Sequence, residues 1–318
     1  MRILITGASG FIGSNLFERL ARKNVCVAGV VRANNQSASS EKRIAHLDQL
    51  VQAHPNACIL RCPDFGGLTK LFAEFSPTTC VHLAGRSSVR ESFHNPGMYA
   101  EANGAGVIDV LEAARGTHCR RVVHASSVMI YGKDAPLPYN EVHIGSTPAS
   151  FYGASKLAAE ILLNAWRALH GIEVVNLRLF SVYGPDLRPD SVPHLIASAI
   201  REEREFTVFG DGSSVRDYVE IDDVLNAIEA AIAAPWTSDF PRALNIGSGV
   251  GTPLLDLVRL IERGLNKKGR LVHKPAVAGE LHAIVADIAE AERILKWKAQ
   301  IGLHDGIARL TDWFNAHA

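Results

Sequence analysis

RILITGASGFIGSNLFERLA, residues 2–21, decides the reading of the whole chain. Arg2 to Thr6 is a short apolar run of strand character, Gly7, Gly10 and Gly13 follow at once, and Leu16, Phe17, Leu20 and Ala21 then share one helical face. The order is strand, tight glycine turn, helix. In that context the glycines let the backbone turn sharply and approach a pyrophosphate, while the helix N-terminus offers its partial positive charge to the anion. A dinucleotide site built on Gly7, Gly10, Phe11, Ile12 and Gly13 is therefore expected.

Further strand-like runs follow at intervals: NVCVAGVVR (24–32), ACILRCPDF (57–65), TCVHLAG (79–85) and RRVVHASS (120–127). Strands alternating with helical patterns predict an α/β protein with a doubly wound parallel (Rossmann) sheet, whose ligands bind at the carboxyl edge. At that edge the second run ends in Arg32, where an acidic residue normally accepts hydrogen bonds from the adenosine ribose. Arginine cannot accept, but it can stack on adenine or bind a 2′-phosphate, so NAD is expected and NADP stays open. Asp64 and Phe65 close the third run, with Asp64 a candidate acceptor for the adenine amine. Leu83, Ala84 and Gly85 close the fourth, the last two small enough to let a cofactor pass, and Ser126 and Ser127 close the fifth.

Tyr152 and Lys156 in FYGASK lie four residues apart, about one helical turn, so a helix there projects phenol and ammonium from one face. A cation beside the phenol favours phenolate and suits Tyr152 to act as a base. An ordinary amphipathic helix with a solvated lysine is the better explanation of an isolated YxxxK; the glycine turn upstream reverses that balance.

Lys plus Arg and Asp plus Glu each number 33 in 318 residues, so net charge gives no argument for nucleic acid or an anionic membrane as partner. Five cysteines, Cys26, Cys58, Cys62, Cys80 and Cys119, form no CxxC pair or metal-type grouping and read as reduced thiols, which fits the cytoplasm; no metal is expected. The opening residues read as a strand and not a signal peptide, and no run of ~18 apolar residues suggests a membrane span.

With these residues quoted, the chain resembles the extended short-chain dehydrogenases/reductases, within them the NAD-dependent nucleotide-sugar epimerases and dehydratases. The resemblance rests on TGASGFIG, HLAGRSSVRESFHNPGMYAEANGAGVIDVLEAAR, ASSVMIYG, YGASK, LRLFSVYGPDLRPD, VFGDGSSVRDYVEIDDV and LNIGSG, in order from residue 1 to about residue 300. It implies a catalytic set of Ser127, Tyr152 and Lys156, the last two also touching the cofactor. Dehydratases and decarboxylases of the family carry a carboxylate where this chain has Val128 and Met129, neither of which moves a proton. Oxidation at C4 followed by hydride return to the opposite face remains.

The resemblance also implies a substrate. Arg90 and Arg188 occupy positions associated with the acidic-sugar pocket of UDP-glucuronate 4-epimerases, with Ser181 beside them. It assigns Arg216 to the diphosphate, Glu280 to a ribose, Phe209 to uracil, and Ser126 with Ser127 to the sugar. A guanidinium suits both carboxylate and diphosphate through forked hydrogen bonds. UDP-glucuronate/UDP-galacturonate interconversion is the leading expectation. Alternatives are epimerisation of a neutral UDP-hexose or N-acetylhexosamine, an NADPH-dependent 4-ketosugar reductase, and a non-enzymatic dinucleotide sensor.

Residues 1–180 are expected to form the dinucleotide-binding domain and 181–318 mainly a smaller nucleotide-sugar lobe, with elements returning to the first. RANNQSASSEK (32–42) reads as a loop, and residues 95–116 and 150–171 as two long helices with apolar stripes, a pair that in the family builds a homodimer seam.

Overall fold

A computed structural model describes residues 1–32, 37–62, 67–276 and 281–317. Strand and helix alternate from the start: β1 (Arg2–Thr6), α1 (Phe11–Arg22), β2 (Cys26–Arg32), α2 (Ala38–Ala53), β3 (Ala57–Cys62), α3 (Leu68–Phe75), β4 (Thr79–His82), α4 (Val89–His94), α5 (Pro96–Tyr99), α6 (Gly106–Arg115), β5 (Arg121–Ser127), α7 (Phe151–His170) and β6 (Glu173–Leu179). Shorter elements follow: β7 (Ser181–Tyr183), α8 (Val192–Arg201), β8 (Glu205–Phe209), β9 (Val215–Glu220), α9 (Ile221–Ala233), β10 (Ala243–Ile246), β11 (Gly251–Pro253), α10 (Leu254–Leu265), β12 (Arg270–Lys274), β13 (Ala283–Ile284), α11 (Ala289–Leu295) and α12 (Leu303–Ala316). They divide into two compact units, one of residues 1–130, 150–178 and 228–244, the other of 131–149, 179–227 and 245–318. Two excursions thus cross the residue-180 boundary set from sequence.

Among the described residues a seven-stranded sheet runs in the order β10-β6-β5-β4-β1-β2-β3, the doubly wound α/β arrangement. β1 sits centrally because Ile3, Leu4 and Ile5 are all fully buried, and it pairs in parallel with β2 on one side and β4 on the other. The chain winds outward in opposite directions from β1 and β4, so the switch point falls between their carboxyl ends. Leu4, Ala28, Cys80 and Val122 pack with Leu71 and Phe72 of α3, Leu111 of α6 and Leu163 of α7 in one apolar core.

In the second unit, β9 is flanked by β11 and β13 and also pairs with β7, while β8 and β12 form a separate ribbon. Asp217 on β9 is fully buried and accepts hydrogen bonds from the Ser248 N–H and hydroxyl at 2.7 Å, from the Gly249 N–H at 3.0 Å and from the Ala286 N–H at 3.1 Å.

Two sequence expectations need correction. The loop expected over 32–42 ends earlier, because α2 begins at Ala38; the Ser37 hydroxyl caps it by accepting from the Ser40 N–H at 3.3 Å. The helix expected over 95–116 is broken into α5, a wider π turn at Ala100–Ala105, and α6. Asn103 and Gly104 are weak helix formers, and the widened turn brings the buried Asn103 side chain to partners elsewhere.

Candidate active site

Gly7 has φ +73°, a left-handed conformation, and a Cβ there would lie 2.6 Å from the Ala84 backbone nitrogen. Only glycine fits. The Ala84 N–H donates to Thr6 Oγ1 at 3.3 Å, so the ends of β1 and β4 are laced together with no room for a side chain between them. Gly13 packs on the carbonyl of Gly7. α1 starts at Phe11 with Gly10 as N-cap, no side-chain cap and no acidic residue in its first turn. An uncapped helix start beside two close-packed strand ends fits the pyrophosphate of a dinucleotide, held by the Gly10 to Gly13 turn with Leu83, Ala84 and Gly85 alongside. Arg32, exposed at the end of β2, lies opposite Cys62 of β3. Asp64 and Phe65 lie outside the described residues, as does Glu280.

β5 carries Ser127, and α7, tied to β5 through Lys156, carries Tyr152 and Lys156. Ser127 ends β5 almost fully buried, its hydroxyl accepting from the Met129 N–H at 3.2 Å. α7 opens at Phe151 behind Ser150, whose hydroxyl accepts from the Gly153 N–H at 3.0 Å. Tyr152 therefore sits in the first turn, where the helix dipole favours a negative charge. It is 8% exposed, and its ring meets that of Tyr99 edge-on at 6.3 Å. One turn on, Lys156 is 6% exposed and its Nζ donates to the Ala125 carbonyl of β5 at 2.8 Å. Burial pushes the Lys156 ammonium down to about 8, against the pull of the Glu160 charge.

The surroundings hold residues that local pattern did not single out. Asn103 Oδ1 accepts from the Arg86 N–H at 2.8 Å, and its Nδ2 donates to the Arg86 carbonyl at 3.0 Å and to Ser155 Oγ at 2.9 Å. It locks the segment after Gly85 to α7. The fully buried Tyr99 donates to the Ser88 carbonyl at 2.6 Å and contacts Glu91 at 3.0 Å, so the ring against Tyr152 is itself anchored. Beneath Lys156, His82 and His124 are register partners on β4 and β5, stacked at 5.5 Å and buried. Burial, with the Lys156 charge in second place, pushes His82 down to about 3 and His124 well below its ordinary value. Both imidazoles are neutral in the fold.

Ser126 turns inward: its hydroxyl donates to Glu160 Oε1 at 2.5 Å. Arg90 lies exposed on α4. The other candidates belong to the second unit. Ser181 opens β7, and Phe209 ends β8 opposite Lys274. Arg188 Nε stands 3.5 Å from an Asp190 carboxylate oxygen. Arg216 on β9 donates from Nη1 to the Val215 carbonyl at 2.8 Å and the His282 carbonyl at 3.2 Å. A buried charged residue in an apolar run, such as Arg178 in EVVNLRL, and the one-turn spacing from Lys156 to Glu160 were signals that could have flagged the inner pair.

Comparison with known proteins places the chain in a family. Residues 3–247 match the NAD dependent epimerase/dehydratase family. The chain is 30% identical to a UDP-glucuronate 4-epimerase from Thermodesulfobacterium geofontis, over 98% of this chain and 95% of that one. It is 33% identical to a UDP-glucose 4-epimerase from Mycolicibacterium smegmatis, over 99% and 98%. The crystal structure of a UDP-glucuronic acid 4-epimerase from Bacillus cereus, with UDP-glucuronic acid and NAD, superposes with a TM-score of 0.90 at 28% identity over 100% of both chains. With most of its length matched, this chain belongs to the NAD dependent epimerase/dehydratase family and is one of its enzymes.

Proposed function

We propose that this protein is a UDP-sugar 4-epimerase that interconverts UDP-glucuronate and UDP-galacturonate. The observation that carries the reading is the placement of Tyr152 and Lys156 one turn apart on the buried face of α7, with Lys156 tied to the strand that ends in Ser127. When bound, NAD supplies the acceptor and later the donor of the C4 hydride. Tyr152 takes the proton of the C4 hydroxyl and returns it, its anionic form favoured by the helix start and the Lys156 ammonium. Ser127 hydrogen-bonds the same oxygen and fixes it within reach of Tyr152. Lys156 also holds the nicotinamide ribose. With Val128 and Met129 in place of a carboxylate, no side chain of that turn drives elimination or decarboxylation of the 4-keto sugar.

Support for a UDP-sugar comes from the relatives named above, two acting on UDP-glucuronate by name and one on UDP-glucose. The acidic sugar is assigned through Arg188 and Arg90, whose guanidinium groups suit a carboxylate, and the diphosphate through Arg216. One observation favours a neutral UDP-hexose instead: the Asp190 carboxylate already stands near Arg188. Kinetics of Arg188→Ala separate the two. On the acidic-sugar reading KM for UDP-glucuronate rises roughly 10- to 100-fold, the worth of a charged hydrogen bond, while UDP-glucose changes little. Equal losses for both sugars remove the acid pocket.

A homodimer is part of the same proposal. The outer face of α7 exposes Phe151, Ile161 and Leu169 at 52%, 61% and 76%, an apolar stripe at helical spacing. Sedimentation of Ile161→Glu with Leu169→Glu should give a monomer where the parent gives a dimer; a monomeric parent overturns it. Five free thiols fit a cytoplasmic location.

A further inference from the structure

Behind the catalytic set the first unit buries an ion pair that the chemistry above leaves unused. Glu160 lies one turn beyond Lys156 on α7 and is 3% exposed; Arg178, on β6, is 5% exposed. Arg178 donates from Nε to Glu160 Oε1 at 3.1 Å and from Nη2 to Oε2 at 2.9 Å, a forked pairing. Ser126 donates to the same Oε1. β5 is thereby tied to α7 at two adjacent points, Ala125 to Lys156 and Ser126 to Glu160, just before Ser127. Burying two charges gives a fold little net stability, since packed apolar residues usually serve as well or better. The pair therefore asks for another reason.

Its electrostatic setting supplies one. Beside Lys156, β4 and β5 present the neutral imidazoles of His82 and His124. Arg86, beyond Gly85, is paired with Glu91 at 3.1 Å. On α7 itself the neighbours are Tyr152 one turn before and Glu160 one turn after. Glu160 is thus the near negative charge that opposes the effect of burial on Lys156, and that charge is itself paired with Arg178.

We propose that Glu160 and Arg178 are positioning residues for the epimerase chemistry assigned above: Glu160 fixes the Ser126–Ser127 corner and supplies the negative charge that keeps Lys156 an ammonium, and Arg178 limits how much of that charge Lys156 feels. The inference rests on that assignment for what the ammonium is used for; its charge balance can be read without turnover. The NAD-loaded protein, with lysine labelled at 13Cε, is titrated by NMR, and the Lys156 resonance is identified by its loss in Lys156→Met. Removing the anion in Glu160→Gln should move the Lys156 midpoint down by about one pH unit, and removing the cation in Arg178→Met should move it up by about as much. The alkaline limb of the turnover profile follows each shift, because turnover is lost as pH rises through the Lys156 midpoint. Arg178→Lys keeps the cation and leaves the midpoint unmoved. Should Glu160→Gln not fold, Glu160→Asp reports the same downward sign at smaller size.

Midpoints that stay put, or that move in one direction in both variants, overturn the inference, since a merely structural pair would give no opposed signs. Opposed shifts in a protein that turns over no UDP-sugar would refute the reaction and keep the charge balance. Epimerisation with unmoved midpoints would refute the charge balance alone.

Discussion

Each unit buries a carboxylate beside an arginine in sequence or in space, and the two are satisfied in different ways. In the first, Glu160 is gripped by the Arg178 guanidinium and one hydroxyl. In the second, Asp217 follows Arg216 directly on β9, yet neighbouring strand residues point to opposite faces and the two do not pair. Asp217 is instead caged by three backbone N–H groups and the Ser248 hydroxyl, and Arg216 turns to backbone carbonyls. A caged carboxylate holds loops in place. A carboxylate shared with a guanidinium beside a buried lysine adjusts a charge.

The contrast is most easily broken at Asp217. Asp217→Ala leaves the part-buried donors of Ser248 and Gly249 and the buried N–H of Ala286 without this acceptor and should lower the unfolding free energy by about 3 kcal/mol in urea titration. A loss under about 1 kcal/mol would mean that the cage does not hold those loops. Acid comes next, with opposite signs in the two units. The buried imidazoles of His82 and His124 bind protons when unfolded but not when folded, so stability falls as pH drops below about 6.5, for His82 by about 1.4 kcal/mol per pH unit. Between pH 6.5 and 5 the loss through His82 is about 2 kcal/mol. Burial raises the Asp217 carboxyl, so this group works the other way, its unfavourable contribution fading as pH falls. Calorimetry across that range should find a shallower slope for His82→Asn, and in the more acid range where the carboxyl titrates a steeper one for Asp217→Asn; unchanged slopes contradict the assignment. The smallest effect concerns Arg216, whose replacement by Ala should raise KM for the UDP-sugar about tenfold with melting nearly unchanged. A melting loss as large as that of Asp217→Ala would make Arg216 a structural residue.

What sequence made legible was local. The strand, glycine turn and helix of residues 2–21 are read from neighbours, and one helical turn from Tyr152 to Lys156 places two side chains together without knowledge of the fold. The edge that gathers Gly7, Ala84, Gly85 and Ser127 follows from parallel strands. Asn103 was invisible for the opposite reason: its partners Arg86 and Ser155 lie 17 and 52 residues away, and the π turn that aims it breaks the expected helix. Ser126 reads as a hydroxyl for the sugar until its partner on α7 is known. Arg188 and Arg216 show the limit for specificity, because one guanidinium suits a carboxylate, a diphosphate or a neighbouring Asp190 alike.

The central claim is tested most directly by incubating the NAD-loaded protein with UDP-glucuronate in D2O and following the sugar by proton NMR. A Tyr152 base and a hydride kept within one active site predict UDP-galacturonate that retains its C4 hydrogen, with no net reduced cofactor and a rate at least ~100-fold lower in Tyr152→Phe. Deuterium at C4, stoichiometric release of reduced cofactor, or no epimer from any UDP-sugar would contradict it.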